Sequence, residues 1–238
     1  MGTQPDGAQK KYETTPPNTS LILRLASRDL EKPFAEFRNR FEDLTEETDL
    51  YRLRESLTEL SESVFRLDQL VRDFVDTTTI ESGNMEPNQE YFDLAGLFSE
   101  QISKRLRRLR GYRIQPEIPS SPLNINGDKN RFATLINDLL DAVILLSPQG
   151  GMILVSLANK DNEICMSAEN RMANLPANQT GSTLDWLDTC LQEKEGFEGV
   201  GIGLYRALLT ARLWGGHFNV DTPQNGGVSF TLCIPDNK

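Results

Sequence analysis

Histidine is almost absent from this sequence. A single one, His217, occurs among 238 residues. Metal sites built from several imidazoles are therefore excluded, and so is most histidine-based catalysis. His217 follows a pair of glycines at the expected start of a strand, and we interpret it as a surface or hydrogen-bonded histidine rather than a catalytic one.

Cysteine is also scarce. Cys165, Cys190 and Cys233 are scattered along the chain without the short spacing of metal-binding cysteine motifs. We predict that they are reduced thiols in a cytoplasmic protein, with two of them buried in strands.

The sequence lacks any apolar run of ~18 residues that could span a bilayer, and it has no excess of basic residues. Its formal net charge is −10, which argues against general binding of nucleic acids. We therefore expect neither a membrane nor a nucleic acid as partner. Residues 1–20 are polar and contain three prolines, so we predict a disordered tail and no signal peptide.

The sequence does contain a sustained apolar repeat. The 4-3 alternation runs from Leu23 to Leu44, with Ser27 as one polar exception, and again from Leu53 to Phe74. The apolar positions are Leu23, Leu30, Phe34, Phe37, Phe41 and Leu44, then Leu53, Leu57, Leu60, Val64, Leu67, Val71 and Phe74. This spacing predicts a hairpin of two helices with a turn at 45–49. A lone hairpin leaves each stripe half covered, so we expect a dimer that closes a four-helix bundle or, alternatively, packing against the rest of the chain.

A short segment of the first helix, Ala26–Phe34 or ASRDLEKPF, resembles the phosphoacceptor box of sensor histidine kinases. The counterparts of the family's other box residues are Ser27, Asp29, Leu30, Pro33 and Phe34. The histidine that accepts phosphate in that family is replaced by Arg28, which we expect to face solvent. A guanidinium stays protonated and has no nucleophilic lone pair, so it cannot accept a phosphoryl group.

The helix that starts after Gly127 resembles the N box of the same kinases. The matching positions are Asp128, Arg131, Asn137, Leu139 and Ala142. The asparagine that binds magnesium in the family falls on Asp141, which still offers oxygen ligands. The lysine found three residues later in active kinases is Ile144, which cannot contact a phosphate.

Two further segments resemble the family's glycine-containing boxes. In the adenine-reading box, Asn170 can take the place of the acid, but two glycines are replaced by Met172 and Asn174, whose side chains would intrude on a purine. The second box is better preserved: Gly199, Gly201 and Gly203 open a helix and would present N–H groups to phosphates. The polar stretch between the boxes, residues 173–198, is interpreted as a lid.

The resemblance covers roughly residues 21–236 and implies an α+β fold. The hairpin would form a dimeric four-helix bundle, followed by an α/β sandwich of the histidine kinase/HSP90 ATPase type. We predict a tail at 1–20, the hairpin domain at 21–82 and the ATP-binding-like domain at 83–238. Gly83 is a candidate helix C-cap and Asp93 a candidate N-cap at the start of the second domain.

The departures from the family pattern decide the predicted function. Four residues replace those that the family uses to accept phosphate or to contact the nucleotide: Arg28, Ile144, Met172 and Asn174. They favour a catalytically degenerate, histidine-kinase-like signalling protein that acts by binding other proteins. The predicted partners are a second copy of the chain and either the receiver domain of a response regulator or another histidine kinase. The predicted partner-binding residues are Arg28, Asp29, Glu31 and Lys32.

One alternative stays open and another is excluded. The chain could bind ATP and phosphorylate a partner in trans, if the nucleotide site survives with Asp141 holding magnesium. The residues of such a weak or vestigial site would be Asn137, Asp141, Asn170, Gly199, Gly201 and Gly203. Otherwise no cofactor is expected. A histidine phosphotransferase is excluded because the hairpin has no histidine.

Overall fold

The computed structural model describes residues 19–46, 48–107, 111–173, 187, 200–222 and 226–236. The helices are α1 (Thr19–Glu46), α2 (Leu50–Glu81), α3 (Leu94–Leu106), α4 (Lys129–Leu145) and α5 (Gly201–Leu213). The strands are β1 (Glu90–Asp93), β2 (Arg113–Glu117), β3 (Asn124–Gly127), β4 (Met152–Lys160), β5 (Glu163–Asn170), β6 (His217–Asp221) and β7 (Val228–Pro235). Residues 1–18 of the predicted tail and nearly all of the predicted lid lie outside the described residues, whereas residues 19 and 20 begin α1.

The predicted helical hairpin is confirmed. α2 begins after Asp49, whose carboxylate accepts the backbone N–H groups of Tyr51 and Arg52, and α1 continues through Pro33. α2 ends at Glu81, followed by Gly83 with φ of 70°, a conformation that glycine adopts without steric strain. Much of the apolar repeat is about half exposed in the single chain. Its exposed members are Leu23, Phe34, Phe41, Leu57, Val64 and Val71.

The start of α1 packs differently from the prediction. Leu21, Ile22, Leu25 and Ala26 are buried in the core of the second domain, whereas Ser27, assigned by the repeat to the bundle core, is exposed. The first two turns of α1 therefore use a second apolar face to dock against the rest of the chain. The inner face of the hairpin packs within the chain, as one of the two alternatives predicted. The outer stripe stays exposed in the single chain, and its coverage by a dimer stays a prediction.

The second domain is an α/β sandwich, as predicted. Its five-stranded sheet has the order β2-β4-β5-β7-β6, and apart from the parallel β2–β4 pair its neighbours are antiparallel. Helices α3, α4 and α5 supply the buried residues that cover one face. In β5 burial alternates strictly, with one face buried and the other half exposed, as the pleat requires.

Side-chain caps fix the starts of two of these helices. Asp93 caps α3 by accepting the N–H of Ala95, and Asp128 caps α4 by accepting the N–H of Arg131. Asp93 was predicted as an N-cap from its position before an apolar helical run. None of the described helices is long and apolar enough to cross a membrane.

The prediction that all cysteines are reduced thiols is wrong for two of them. Cys165 in β5 and Cys233 in β7 form a disulfide. The two residues face each other directly in the antiparallel pair, 68 positions apart in sequence. Spacing along the chain could not reveal this contact, because it depends on β5 and β7 being neighbours in the sheet. Cys190 lies outside the described residues.

Candidate functional site

The N-terminus of α5 is where the sequence predicts phosphate binding, and a carboxylate from the hairpin lies there. The residue before the helix, Val200, provides no side-chain cap. Instead the backbone N–H of Ile202 donates to Oδ2 of Asp29, at 3.1 Å. Asp29 is 1% exposed. A carboxylate is favourable at this position because the first N–H groups of a helix are unsatisfied and the helix dipole is positive there. Asp29 therefore occupies the anion-binding end of α5 from within the chain.

The glycines of the turn allow this close approach. A Cβ added at Gly201 would lie 2.5 Å from Cδ2 of Leu25 in α1, a distance that side chains do not tolerate. A Cβ at Gly203 would lie 3.2 Å from Oδ1 of Asp138 in α4. The two glycines thus let α5 pack against the hairpin and against α4. Gly199 lies outside the described residues.

One helical turn further along α5, a buried arginine joins three helices. Arg206 is 6% exposed and donates through Nε and Nη2 to Asp138 of α4, at 3.0 and 2.7 Å. Its Nη1 donates to Asp73 of α2 at 2.6 Å, and Asp76 lies 3.8 Å away. The bidentate contact fixes the orientation of the guanidinium plane as well as its position.

The charge balance of this cluster shifts the ionisation of its members. Burial raises the pKa of Asp138 to about 6, against the opposing attraction of Arg206, while Asp73 and Asp76 raise it further. Burial alone would lower the pKa of Arg206, but the neighbouring Asp138 and Asp73 carboxylates raise it well above its ordinary value. Arg206 is therefore permanently charged, and it compensates carboxylates that would otherwise be buried without a partner.

Two more contacts hold the lower end of α2 against the sandwich. The hydroxyl of Tyr205 donates to Glu81 at 2.6 Å, and Arg131 of α4 pairs with Asp76. Burial, followed by the hydrogen bond to Glu81, raises the pKa of the Tyr205 hydroxyl. Together with Asp29 and Arg206, these polar contacts define a charged hairpin–sandwich interface.

The predicted N-box residues line a larger neighbouring cleft, and Asp141 also lines the small cavity beside the glycine turn. Asn137 donates to the carbonyl of Ala133 at 2.8 Å and to Gln101 at 3.3 Å, and Asp141 is exposed and paired with Arg105. Both line a cleft of about 1110 Å³ between α2, α3 and α4. The assignment of magnesium to Asp141 stays a prediction. The carboxylate beside Gly203 is that of Asp138, which is buried and bound to Arg206.

The predicted adenine-reading residue is engaged within the fold. Asn170 is fully buried at the end of β5, donates to the Ser147 hydroxyl and accepts the N–H of Met172 at 2.6 Å. Met172 is 64% exposed, and Ile144 is half-buried in α4. Asn174 lies outside the described residues.

The four residues proposed as a partner-binding face do not share one environment. Glu31 and Lys32 are exposed, as that prediction requires. Arg28 is half-buried rather than fully facing solvent, and Asp29 is buried. Asp29 was therefore wrongly placed on an accessible surface, because the helical repeat did not reveal that α5 packs against this side of α1.

Sequence reasoning missed the central pair of the interface, Asp138 and Arg206. A signal was present, since each is a charged residue within a largely apolar helical stretch, LINDLLDAV and GLYRALL. A charge in such a position is rarely buried without a partner of opposite sign. That rule could have paired Asp138 with Arg206. It does not indicate that Asp73 of α2 also contacts Arg206.

Comparison with known proteins identifies the class of the sandwich. Residues 127–238 match the family model of the histidine kinase-, DNA gyrase B-, and HSP90-like ATPases. The curated relatives include histidine kinases and sensor proteins: the circadian input-output histidine kinase CikA of Synechococcus elongatus is 26% identical over 78% of this chain, and the sensor protein KdpD of Clostridium acetobutylicum is 21% identical over 91%. The chain spans 25% and 24% of those proteins, respectively.

Solved structures show the same fold beyond the matched domain. The histidine kinase AdeS of Acinetobacter baumannii superposes with a TM-score of 0.67, covering 89% of this chain and 98% of that one, at 17% identity. Full-length ShkA, solved in complex with AMPPNP, gives a TM-score of 0.61 over 90% of this chain and 46% of that one, at 22% identity. Residues 127–238 thus match an ATPase domain of this class, and the likeness to AdeS and ShkA extends the shared fold to the hairpin.

ATPase domains of this class bind ATP with magnesium, so the fit of this chain's residues to that ligand can be tested. Around the glycine turn, the described residues enclose a cavity of about 60 Å³, lined by Asp138, Ile202 and Gly203 among others. Pockets that bind small-molecule ligands have volumes of roughly 300–1,000 Å³. Asp29 already accepts an N–H group at the turn, and its charge would repel a phosphate. In this arrangement the residues at the turn do not fit a bound triphosphate.

Proposed function

We propose that this protein is a catalytically degenerate, histidine-kinase-like member of a two-component signalling system, which acts by binding other proteins. It keeps the kinase architecture and uses it as a scaffold. No phosphoryl group passes through this chain.

The contact between Asp29 and the N-terminus of α5 carries the proposal. An active nucleotide site of this type needs the N–H groups of the glycine turn to be available to phosphate. Here the N–H of Ile202 is bound by a buried hairpin carboxylate, and Leu25 fills the space over Gly201. The residue next to that carboxylate is Arg28, which stands at the phosphoacceptor position of the box. On α1, the residue at the phosphoacceptor position, Arg28, is therefore adjacent to the residue that binds the glycine turn, Asp29.

The environment of the adenine-reading position supports the same function. Asn170 already uses its amide within the fold, toward Ser147 and Met172. Met172 replaces a glycine that allows close approach of the backbone to a purine, and its side chain is largely exposed at that place. The engaged Asn170 amide and the Met172 side chain are both compatible with a chain that binds no nucleotide.

The proposed partners follow from the hairpin. The outer stripe leaves large apolar side chains exposed, and a second copy of the same stripe would cover them in a four-helix bundle. A receiver domain or another histidine kinase would bind beside it, near the exposed Glu31 and Lys32. We place the protein in the cytoplasm, a reducing compartment in which the Cys165–Cys233 disulfide would open.

A second candidate function has one observation in its favour. Asp138 keeps an acid beside Gly203, and release of Asp29 would expose the N–H groups of α5. A chain that opened in this way could bind Mg-ATP and phosphorylate a partner in trans. The two candidates differ in whether phosphate is transferred, and they can be separated directly.

The experiment incubates the full chain with labelled ATP and Mg²⁺, alone and with a candidate receiver domain or kinase. We expect no acid-labile phosphate on this chain or on the partner, and an affinity for the partner that ATP leaves unchanged. The Arg28→His variant should also stay unlabelled, because Ile144 and Met172 are unaltered. Label on wild-type chain or partner would contradict the proposal, and strong labelling of Arg28→His would show that the nucleotide site is sound.

A further inference from the structure

The outer face of the sheet brings together two cysteines, the only histidine and a glutamate. Cys165 in β5 pairs with Cys233 in β7, and Cys233 pairs in turn with His217 in β6. These three residues therefore form one row across three neighbouring strands, on the face that α3–α5 do not cover. Glu163 precedes Cys165 by two positions in β5, so its side chain projects from the same face.

The donor atoms of this cluster are close enough to share one ion. A carboxylate oxygen of Glu163 and the sulfurs of Cys165 and Cys233 all lie within 4.8 Å of one another. The Nδ1 of His217 lies 3.8 Å from Oε1 of Glu163. In a tetrahedral zinc site with metal–ligand bonds of 2.0–2.3 Å, neighbouring ligand atoms are roughly 3.3–3.8 Å apart. Glu163, Cys165 and Cys233 already form one group, and rotation of the exposed His217 side chain would complete the set of four.

The site is accessible from solvent. The side chains of His217 and Glu163 are 48% and 43% exposed. The next row of the same face is polar, with the hydroxyls of Ser156 and Ser167 only 2.7 Å apart. An ion can therefore reach the cluster without passing through the core, and water can carry away the protons that it displaces.

We propose that the reduced protein binds a thiophilic divalent cation of the zinc class through Cys165, Cys233, His217 and Glu163, and that formation of the disulfide abolishes this site. Two thiolates, one imidazole and one carboxylate make a closed four-ligand set of the structural type. Thiolate sulfur selects zinc-like ions over magnesium or calcium, which require oxygen ligands. The site is independent of the proposed function.

Reduction of the disulfide and binding of the cation conserve electrons and protons. A dithiol reductant supplies two electrons and two protons, the Cys165–Cys233 bond breaks, two thiols form, and the reductant becomes a disulfide. The cation then replaces the proton of each thiol and binds the neutral imidazole and the ionised carboxylate, so two protons pass to solvent. Oxidation by a disulfide of higher potential reverses these steps and releases the ion.

The test compares reduced and oxidised full chain, after the reductant has been removed by gel filtration without oxygen. Zn²⁺ is titrated against a chromogenic chelator, and Co²⁺ serves as a spectroscopic probe of thiolate ligation. We expect one ion per reduced chain, with an intense tetrahedral cobalt spectrum and thiolate-to-cobalt charge transfer, and no such binding by the oxidised chain. Absence of stoichiometric binding by the reduced chain, or equal binding by both forms, would overturn the proposal.

Variants assign the ligands. Cys165→Ser should abolish the charge-transfer band or halve it, and His217→Ala and Glu163→Gln should each weaken Zn²⁺ binding by at least about tenfold, as loss of even an indirect partner does in metal sites. Cys190→Ser, which removes the remaining thiol, should bind like wild type. His217 and Glu163 are exposed, so their variants should fold, and circular dichroism checks this. Unchanged affinity in both of those variants, or loss of binding in Cys190→Ser, would place the ion elsewhere.

Discussion

The two faces of the hairpin differ in the kind of side chain that they use. Beyond the apolar first two turns of α1, the inner face meets the sandwich through charges, with Asp29 at the N-terminus of α5 and Asp73 on Arg206. The outer face exposes aliphatic and aromatic side chains at heptad spacing. Buried ion pairs demand one geometry, because a misplaced charge is left without compensation, whereas an apolar seam tolerates sliding and is stabilised mainly by the area that it buries.

We therefore assign different roles to the two faces. The inner face fixes the position of the sandwich on the hairpin, and so keeps Asp29 over the glycine turn. The outer face is suited to association with the same surface of a second chain. Mutations on the two faces should therefore have separable consequences. Inner-face changes should affect stability and the glycine turn, whereas outer-face changes should affect the oligomeric state.

The largest effect is expected at the inner face. Arg206→Met removes the cation that faces Asp138 and Asp73, so it leaves the buried Asp138 carboxylate without its partner and should lower the free energy of unfolding by about 3–5 kcal/mol. Urea denaturation measures this change. The matched control is Arg212→Met on the same helix, since Arg212 is exposed and should change stability by about 0.5 kcal/mol or less. Similar small effects in both variants would show that the charged interface is not formed in solution.

A strong effect on assembly is expected at the outer face. Leu60→Asp places a charge in the seam of the proposed bundle, where it would be desolvated, and should dissociate the dimer. Light scattering at micromolar concentration should give the mass of two chains for wild type and of one chain for the variant. Thr58→Asp, an exposed position on the same helix, should remain dimeric. A single-chain mass for wild type would contradict the role given to this face.

A smaller effect is expected at Arg28. In a complex with a receiver domain, its guanidinium could pair with the acidic phosphorylation site and contribute about 1.5–3 kcal/mol. Arg28→Ala should then weaken binding of that partner about 10- to 100-fold in a titration. The control is Arg38→Ala, since Arg38 is an exposed arginine on the same helix. Unchanged affinity for every partner would mean that the binding surface lies elsewhere on the chain.

The parts of the fold that depend on local pattern were predictable from the sequence. The 4-3 repeat predicted the hairpin, Asp93 before an apolar run predicted the start of α3, and alternation predicted the strands of the sandwich. Each of these features is determined by residues within a few positions of one another, where helix and strand periods act.

The contacts that define the candidate site were not predictable in the same way. Asp29 and Ile202 are 173 positions apart, and the bond between them depends on how α1 docks on α5. Cys165 and Cys233 meet only because β5 and β7 are adjacent. Arg206 takes its partners from two other helices, and no periodicity within α5 points to both.

The most direct test of the central claim, that Asp29 occupies the glycine turn in place of nucleotide, is the melting temperature of the full chain with millimolar Mg-ATP. A ligand at 100 times its dissociation constant would add about 2.7 kcal/mol, or roughly 5–10 °C for a chain of this size. We expect a shift below about 2 °C for wild type. A shift of the larger size, lost when Gly201 and Gly203 are replaced by leucine in a variant that still folds, would show that the turn binds phosphate and that Asp29 does not exclude nucleotide.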